Sequence, residues 1–555
     1  MASGNQKIRQ QSLSDFVQDL ENAGMLIRIK DEKRVDELPK LAEDNPNKAL
    51  LVENVRDCEF SFLTNGYCNQ DQYAWALGCK KGEVGIRVAR AAQTLIKPEI
   101  VPTAACKEVI HKGDEVDLTI FPLFLHHDRD GNAYLNDTMV ISKDPETGIP
   151  DWGIYRMMFR TKNETGIDLT IDTHRLYMHT KKAAAQGKNL PIAVVIGGPI
   201  IDKLASCTSV PGDVDDFEVL GGYYGAPAQM VKCETVDLLV PANAEIVLEG
   251  EIIASEGWVH DEGPYGECTG MYGNGVCVNN RVVIHCITHR KGGIYQQATI
   301  GGLHPWYADD KVILPILEGD IFEALRRAGI DVLEVRADAG GVDQIVYARL
   351  RTRSGGDAKQ SLAIMLTCSR QAVPKIAMVF DEDVNIWDDN AVKWAMAFRY
   401  LPDRDTLIIP QCNTIPLDPS IGEDNTPPVY ASKIGFDCTI PLVGKWNRRK
   451  FDLATVSEFG DPPAHVEEMS EDAIIADMAE FIRQSPRSWK EILERYHGQP
   501  YPKIYRAFSH LRPNLGRAGD DPWFRYTFSD HDFAFEFAPL TKHCTEPQKG
   551  GLNLS

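Results

Sequence analysis

Apolar residues recur at the spacing of one helical face in "SLSDFVQDLENAG" (12–24), where Leu13, Phe16, Val17 and Leu20 line up and Gly24 supplies a stop. This predicts a capped amphipathic helix. "ALLVENV" (49–55) reads as a strand, and 70–97 as helical. From about 118 to 300 the texture changes. Short β-rich runs ("TMVISKDPETG", "LPIAVVIGGP", "AEIVLEGEIIA", "RVVIHCITHR") alternate with Gly, Pro and Asp turns. Such runs predict a barrel-like or layered β domain. One helix interrupts it, "HRLYMHTKKAAAQGK" (174–188). After about 311, helical "PILEGDIFEALRRAG" and "DNAVKWAMAFRYL" alternate with strand-like "DVLEVRA", "KIAMVF" and "TLIIP". That is α/β texture with parallel pairing. A Pro/Asp/Asn-rich stretch (410–428) leads to "VYASKIGFDCT", and the last 85 residues are helical, then polar and aromatic, with "TEPQKGGLNLS" as a frayed tail. The fold class is α/β (α+β overall), divided at 1–117, 118–310, 311–470 and 471–555.

Composition narrows the function classes. The 555 residues are 43% hydrophobic and 25% charged, as in ordinary globular chains. The net charge of −21 lacks the basic footprint that nucleic acid or an anionic membrane requires. No run approaches the roughly 18 apolar residues of a membrane span. The opening "MASGNQKIRQQSLSDF" has no apolar signal-peptide core. Thirteen scattered cysteines with no Cys-x-x-Cys read as reduced cytoplasmic thiols, so neither a disulfide framework nor a cysteine zinc site is expected.

Candidate chemistry begins with "DEGPYGECTG" (261–270), which puts Glu262 and Glu267 around a Gly-Pro turn. Two carboxylates held close do not both ionise cheaply, so one becomes a general acid near neutral pH. The competing reading is two solvated charges on a surface loop. In "DWGIYRMMFR" (151–160), Arg156 interrupts an apolar, aromatic run; it either snorkels from a strand edge or faces a carboxylate or cofactor. His174 and Arg175 fall where a strand meets a helix start, with Thr173 as N-cap, a natural place for an anion or metal. A structural histidine is the plainer alternative there, and His179 reads as a helix-face residue. "DEDVNIWDD" (381–389) reads as loop and N-cap acids ahead of a metal cluster. The basic run "GKWNRRK" (444–450) reads as solvated surface. No P-loop, G-x-S-x-G or H-E-x-x-H is present.

Taken in order, "DRDGNAYLNDTMVISKDPETG", "DWGIYRMMFR", "THR", "VDLLVPANAEIVLEGEI", "EGPYGECTGMY", "DEDVN" and "ASKIGFDCT" resemble the UbiD-type decarboxylases, the prenylated-FMN-dependent, non-oxidative (de)carboxylases. The resemblance spans about 120–440. It implies an N-terminal α/β domain, a central split β-barrel that binds the flavin, a C-terminal α/β oligomerisation domain and a helical extension. It implies a Glu–Arg–Glu network of Glu262, Arg156 and Glu267, with Glu267 as proton donor. Ile154, Tyr155 and Arg156 would line the cofactor, and His174, Arg175 and Lys433 would serve its phosphate. The divalent metal would fall to Asp151, His174 and Asp216, with Glu218 as alternative to Asp216. Asp151 stands where the family has Asn, and Asp216 where it has Glu. Both keep oxygen ligands, so Fe²⁺ stands beside Mn²⁺, with K⁺ nearby. The resemblance also implies a flavin prenyltransferase as cofactor supplier and a homodimer or homohexamer.

The substrate is expected to be an aromatic or α,β-unsaturated carboxylic acid, with an aryl-CoA of the phthaloyl-CoA type as alternative and carboxylation as the reverse direction. "GGLHPWYADD" (301–310), near the expected pocket, points to a non-standard substrate. Two other classes compete: a glycosidase-like hydrolase using the Glu pair, and a non-catalytic subunit of a carboxylase complex.

Overall fold

The computed structural model describes residues 8–273, 275–368, 374–415, 417–421, 430–442, 451, 456–517 and 536–539. The basic run 444–450 and the tail 545–555 lie outside them. The chain forms two compact units, 1–439 and 440–555.

In the first unit, Leu13–Asn22 is a helix whose N-cap Ser12 accepts a hydrogen bond from the Asp15 amide, and Leu13, Phe16, Val17 and Leu20 are buried as the spacing predicts. The segment 70–97 is two helices, Gln70–Ala76 and Val84–Gln93. The break follows Gly78, whose φ of +59° ends the first helix. A four-stranded sheet joins Leu26–Ile29, Ala49–Val52, Ser61–Thr64 and Ile294–Gln296, so the N-terminal layer borrows a strand from beyond the barrel.

The barrel has six strands: Tyr134–Lys143, Pro150–Thr161, Glu164–Ile167, Leu190–Ile196, Ile246–Ile252 and Cys277–His289. Each pairs antiparallel with its neighbours, and the fifth closes on the sixth. Closure leaves no open edge. Side chains alternate across the strands. Val140, Met157, Val194, Leu248 and Ile284 belong to one buried cluster drawn from all six strands, which fills the barrel. Met139, Ile141, Val195 and Val247 point the other way, into a cluster shared with the N-terminal helices. The helix Arg175–Ala185 crosses between the third and fourth strands. Its N-cap is His174, not Thr173. His179 lies on the buried face of that helix, with Nδ1 2.9 Å from the Ser142 hydroxyl.

Beyond the barrel, a five-stranded sheet runs in the order Val332–Ala337, Ile345–Leu350, Ile376–Asp381, Tyr430–Cys438, Thr406–Asn413. The inner pairs are parallel as expected, but both outer pairs are antiparallel. The first two strands are joined by a short turn, which permits only antiparallel pairing. The acids of 381–389 act locally: Asp388 caps the helix Asp389–Arg399, and Asp383 pairs with Arg399.

The second unit contains the helices Glu471–Gln484, Trp489–Arg495 and Tyr501–Leu511, packed through Ile474, Met478, Ile492 and Ile504. Short strands at Arg487–Ser488, Leu515–Arg517 and Glu536–Pro539 pair antiparallel beside them.

Candidate active site

Two strands and one pinned turn build the site. Glu262 ends the short strand His260–Glu262, which pairs with the start of the sixth barrel strand. The Gly-Pro turn then carries the chain to Glu267. Four hydrogen bonds hold that turn. Gly131 N–H donates to the Pro264 carbonyl at 2.7 Å, Gly266 N–H to Asp130 at 2.8 Å, Gly263 N–H to the Tyr134 hydroxyl at 3.1 Å, and Glu267 N–H to the Met271 carbonyl at 3.0 Å. A side chain at Gly131 would overlap the Gly263 carbonyl, and one at Gly266 would overlap the His127 ring. Gly131→Ala is therefore expected to cost about 1–3 kcal/mol, as overpacking does, and to lower activity by displacing the turn. A thermal melt and a turnover assay measure the two effects.

Arg156 lies in the second barrel strand and receives three carboxylates. Nε donates to Glu262 Oε1 at 3.0 Å and Nη2 to Oε2 at 2.9 Å, a bidentate pair. Nη1 donates to Glu267 Oε1 at 3.0 Å. The same nitrogen lies 3.2 Å from Asp168 Oδ2. The guanidinium also sits 4.7 Å over the Tyr265 ring. Side-chain exposure is 10% for Arg156, 0% for Glu262 and 5% for Glu267. These are not solvated loop charges. Burial pushes the Glu267 carboxyl up to about 7; Arg156 opposes this, and Asp168 and then Glu262 add to it. Like-charge repulsion from Glu262, the cause expected from sequence, is thus the smaller contribution.

Asp168 was not singled out by sequence. Its signal was a lone carboxylate between Ile167 and Leu169, both buried. Its amide donates to the Arg156 carbonyl at 3.2 Å. Cys277 was also missed: its Sγ is 3.3 Å from Glu262 Oε2.

A second charged cluster forms around Arg175. Its Nε lies 2.7 Å from Asp151 Oδ1, and Nη2 donates to the Asp216 carboxylate. The Trp152 amide donates to Asp216 Oδ2 at 2.7 Å. Burial raises both acids, Asp216 to about 7, while Arg175 pulls both down. Asp216 is the carboxylate that shares the Arg175 guanidinium with Asp151, while Glu218 is half-buried with no described contact to Arg175. The His174 ring stands edge-on to Tyr155 at 5.9 Å, and burial lowers its proton affinity, which favours the neutral imidazole. Ile154 packs on the outer cluster and Tyr155 on the barrel interior, as strand alternation requires. Lys433 is buried in the C-terminal sheet, with Nζ donating to the Leu366 carbonyl at 2.7 Å. No described contact joins it to Arg156 or Arg175.

Among the described residues, no three His, Cys, Asp or Glu side chains stand together in a metal-holding arrangement. The chemistry nevertheless suits a cation. Two buried carboxylates share one guanidinium, and Asp151 Oδ2 is buried without a partner. Thr173 Oγ1, next to His174 in the chain, is buried and unpartnered as well. An unpartnered oxygen on a carboxylate that already shares Arg175 with Asp216 fits a site completed by a cation.

The loop after Thr299 borders a cavity of about 200 Å³, whose lining includes Glu43, His126, His127, Gly301, His304 and Tyr307. His126 Nδ1 is buried without a hydrogen-bond partner, and His127 Nδ1 lies 3.5 Å from Asp130 Oδ2. Burial pushes His126 down to about 3, so it is a neutral imidazole.

The chain matches the 3-octaprenyl-4-hydroxybenzoate carboxy-lyase N-terminal domain over 17–92, the Rift-related domain over 99–304 and the C-terminal domain over 313–438. It is 31% identical over 489 residues to the phenolic acid decarboxylase of Sedimentibacter hydroxybenzoicus, covering 83% of this chain and 96% of that one. It also matches the UbiD-class enzyme HmfF from Pelotomaculum thermopropionicum in complex with FMN, with TM-score 0.73 and 27% identity over 80% of this chain and 97% of that one. An evolved dimeric form of HmfF in complex with prFMN matches with TM-score 0.70 and 27% identity over 80% of this chain and 97% of that one. The chain belongs to the UbiD family of carboxy-lyases.

Proposed function

We propose that this chain is a non-oxidative, reversible decarboxylase of an aromatic or α,β-unsaturated carboxylic acid, with prenylated FMN as cofactor and Glu267 as proton donor. The observation that carries the reading is a buried carboxyl, poised near neutrality, on the same guanidinium as a second glutamate. When bound, prenylated FMN supplies the electron sink that amino-acid side chains lack. The chain's own residues do the rest. Glu262 fixes the Arg156 fork bidentately, and Arg156 orients the acid. Glu267, protonated at a carboxyl oxygen, delivers H⁺ to the carbon that CO₂ leaves. The Ile154–Tyr155–Arg156 segment would line the cofactor. Asp151, His174 and Asp216 would hold a divalent metal, Mn²⁺ or Fe²⁺, with K⁺ beside it, and Arg175 and Lys433 would meet the cofactor phosphate. The protein is proposed to work in the cytoplasm as a homodimer or homohexamer, supplied by a flavin prenyltransferase.

The test is co-expression with a flavin prenyltransferase, followed by a panel of aromatic acids, unsaturated acids and aryl-CoA esters. CO₂ release and deuterium uptake from D₂O are measured on each. Flavin-loaded protein that releases no CO₂ and exchanges no deuterium with any of them refutes the reading.

The raised Glu267 carboxyl also sets a pH dependence. The proton donor is present below about 7 and lost above it, so turnover is expected to fall through an alkaline limb near neutrality. Stability follows the same sign. A carboxyl raised from 4.5 to about 7 contributes stability fully below 4.5 and loses it as pH rises through about 7. Glu267→Gln is expected to flatten this part of the melting profile.

A further inference from the structure

We propose that Asp168 is a third carboxylate of the active site, a positioning residue whose negative charge keeps the proton on Glu267. This deepens the reading of Glu267 as proton donor and rests on it. The argument is geometric. Asp168 Oδ2 and Glu267 Oε1 lie 3.2 and 3.0 Å from the same Arg156 Nη1, while the other two guanidinium donors are taken by Glu262. One cation therefore faces three carboxylates. Only one charge can be matched, and burial penalises the remainder. Asp168 is fastened in place by the Thr170 amide at 3.1 Å and by Asn279 Nδ2 at 3.2 Å, both on Oδ1. Glu262 is fastened bidentately. Glu267 has Arg156 Nη1 as its described side-chain donor. It is the member of the trio with the fewest bonds that stabilise an ionised form, so it is where a proton rests.

The exposures agree: Asp168 is 20% exposed, against 0% for Glu262 and 5% for Glu267, so of the three carboxylates it is the least removed from water. Other polar groups around the trio do not offset this charge. Tyr265 lies under the guanidinium, Tyr134 and Cys277 lie at Glu262, His174 faces Asp168 from the next helix, and Asp130 and His127 lie behind Gly266. Among these, Arg156 is the one permanent cation.

The test uses infrared difference spectroscopy on the full-length protein, which needs neither substrate nor loaded flavin. The protonated-carboxyl band of Glu267 is assigned by its disappearance in Glu267→Gln, and its titration midpoint is then followed. In Asp168→Asn, which keeps the shape but removes the charge, the midpoint is expected to fall by about one to two pH units, the scale of one charge at about 6 Å for an effective dielectric of about 20 to 40. Asp168→Glu, which retains the charge, is expected to leave it near the wild-type value. In flavin-loaded enzyme the alkaline limb of turnover should move with the band. An unmoved midpoint in a folded Asp168→Asn protein overturns the proposal, as does a midpoint that moves equally in Asp168→Glu. If Asp168→Asn does not fold, Asp168→Ser gives the same charge removal with less demand on packing. Failure of the decarboxylase reading leaves the band titration intact, so the two outcomes are separable.

Discussion

Glu267→Gln is expected to reduce decarboxylation by about 10²- to 10⁴-fold, the range that removal of a positioned general acid produces, while bound flavin stays at the wild-type level. The substitution changes little else. The amide oxygen can still accept from Arg156 Nη1, which lies 3.0 Å from Oε1. Glu262 continues to hold the other two donors. What disappears is the proton, and with it the delivery of H⁺ to the carbon that CO₂ leaves. The measurements are CO₂ release, the visible absorbance of the purified protein and deuterium incorporation from D₂O. Normal turnover in this variant would place the proton donor elsewhere. Loss of flavin together with activity would instead make Glu267 a cofactor-binding residue.

Asp151→Ala is expected to yield protein purified with at least about tenfold less divalent metal and flavin, because the loss of one oxygen ligand weakens a hard-cation site by at least that factor. The local reason is the Arg175 cluster. Asp151 supplies the buried, unpartnered Oδ2 and also pairs with Arg175 at 2.7 Å. His174→Ala is expected to act in the same direction by removing an imidazole kept neutral by burial. Asp151→Asn is the instructive control. It retains an oxygen ligand and corresponds to the residue the resemblance places there, so it is expected to keep flavin. Metal analysis and flavin absorbance read these results directly. Unchanged occupancy in both alanine variants would refute the assignment of Asp151 and His174 to the metal.

Much of the site was legible because its parts are local. "DEGPYGECTG" announces a turn with a glutamate on either side, and "GIYRM" announces a charge inside an apolar strand. The helix at Leu13 follows from a period of 3.6, and the barrel strands from short β-rich runs set between Gly, Pro and Asp turns. Asp168 was not legible. Its role depends on the short turn that folds the third barrel strand back on the second, which brings its carboxylate to the Arg156 nitrogen already used by Glu267. The inward turn of His179 and the capping position of His174 were equally matters of packing.

The amino-acid order by itself determined the strands, the helices, the glycines that let the turn form and the carboxylates available to it. Those are properties of residues and their near neighbours. Only the tertiary structure decided which charges share one guanidinium, how far each is removed from water, and therefore which carboxyl holds a proton. The reason is electrostatic: the ionisation of Glu267 depends on burial and on charges at Arg156, Asp168 and Glu262, and the distances among them exist only once the barrel has closed.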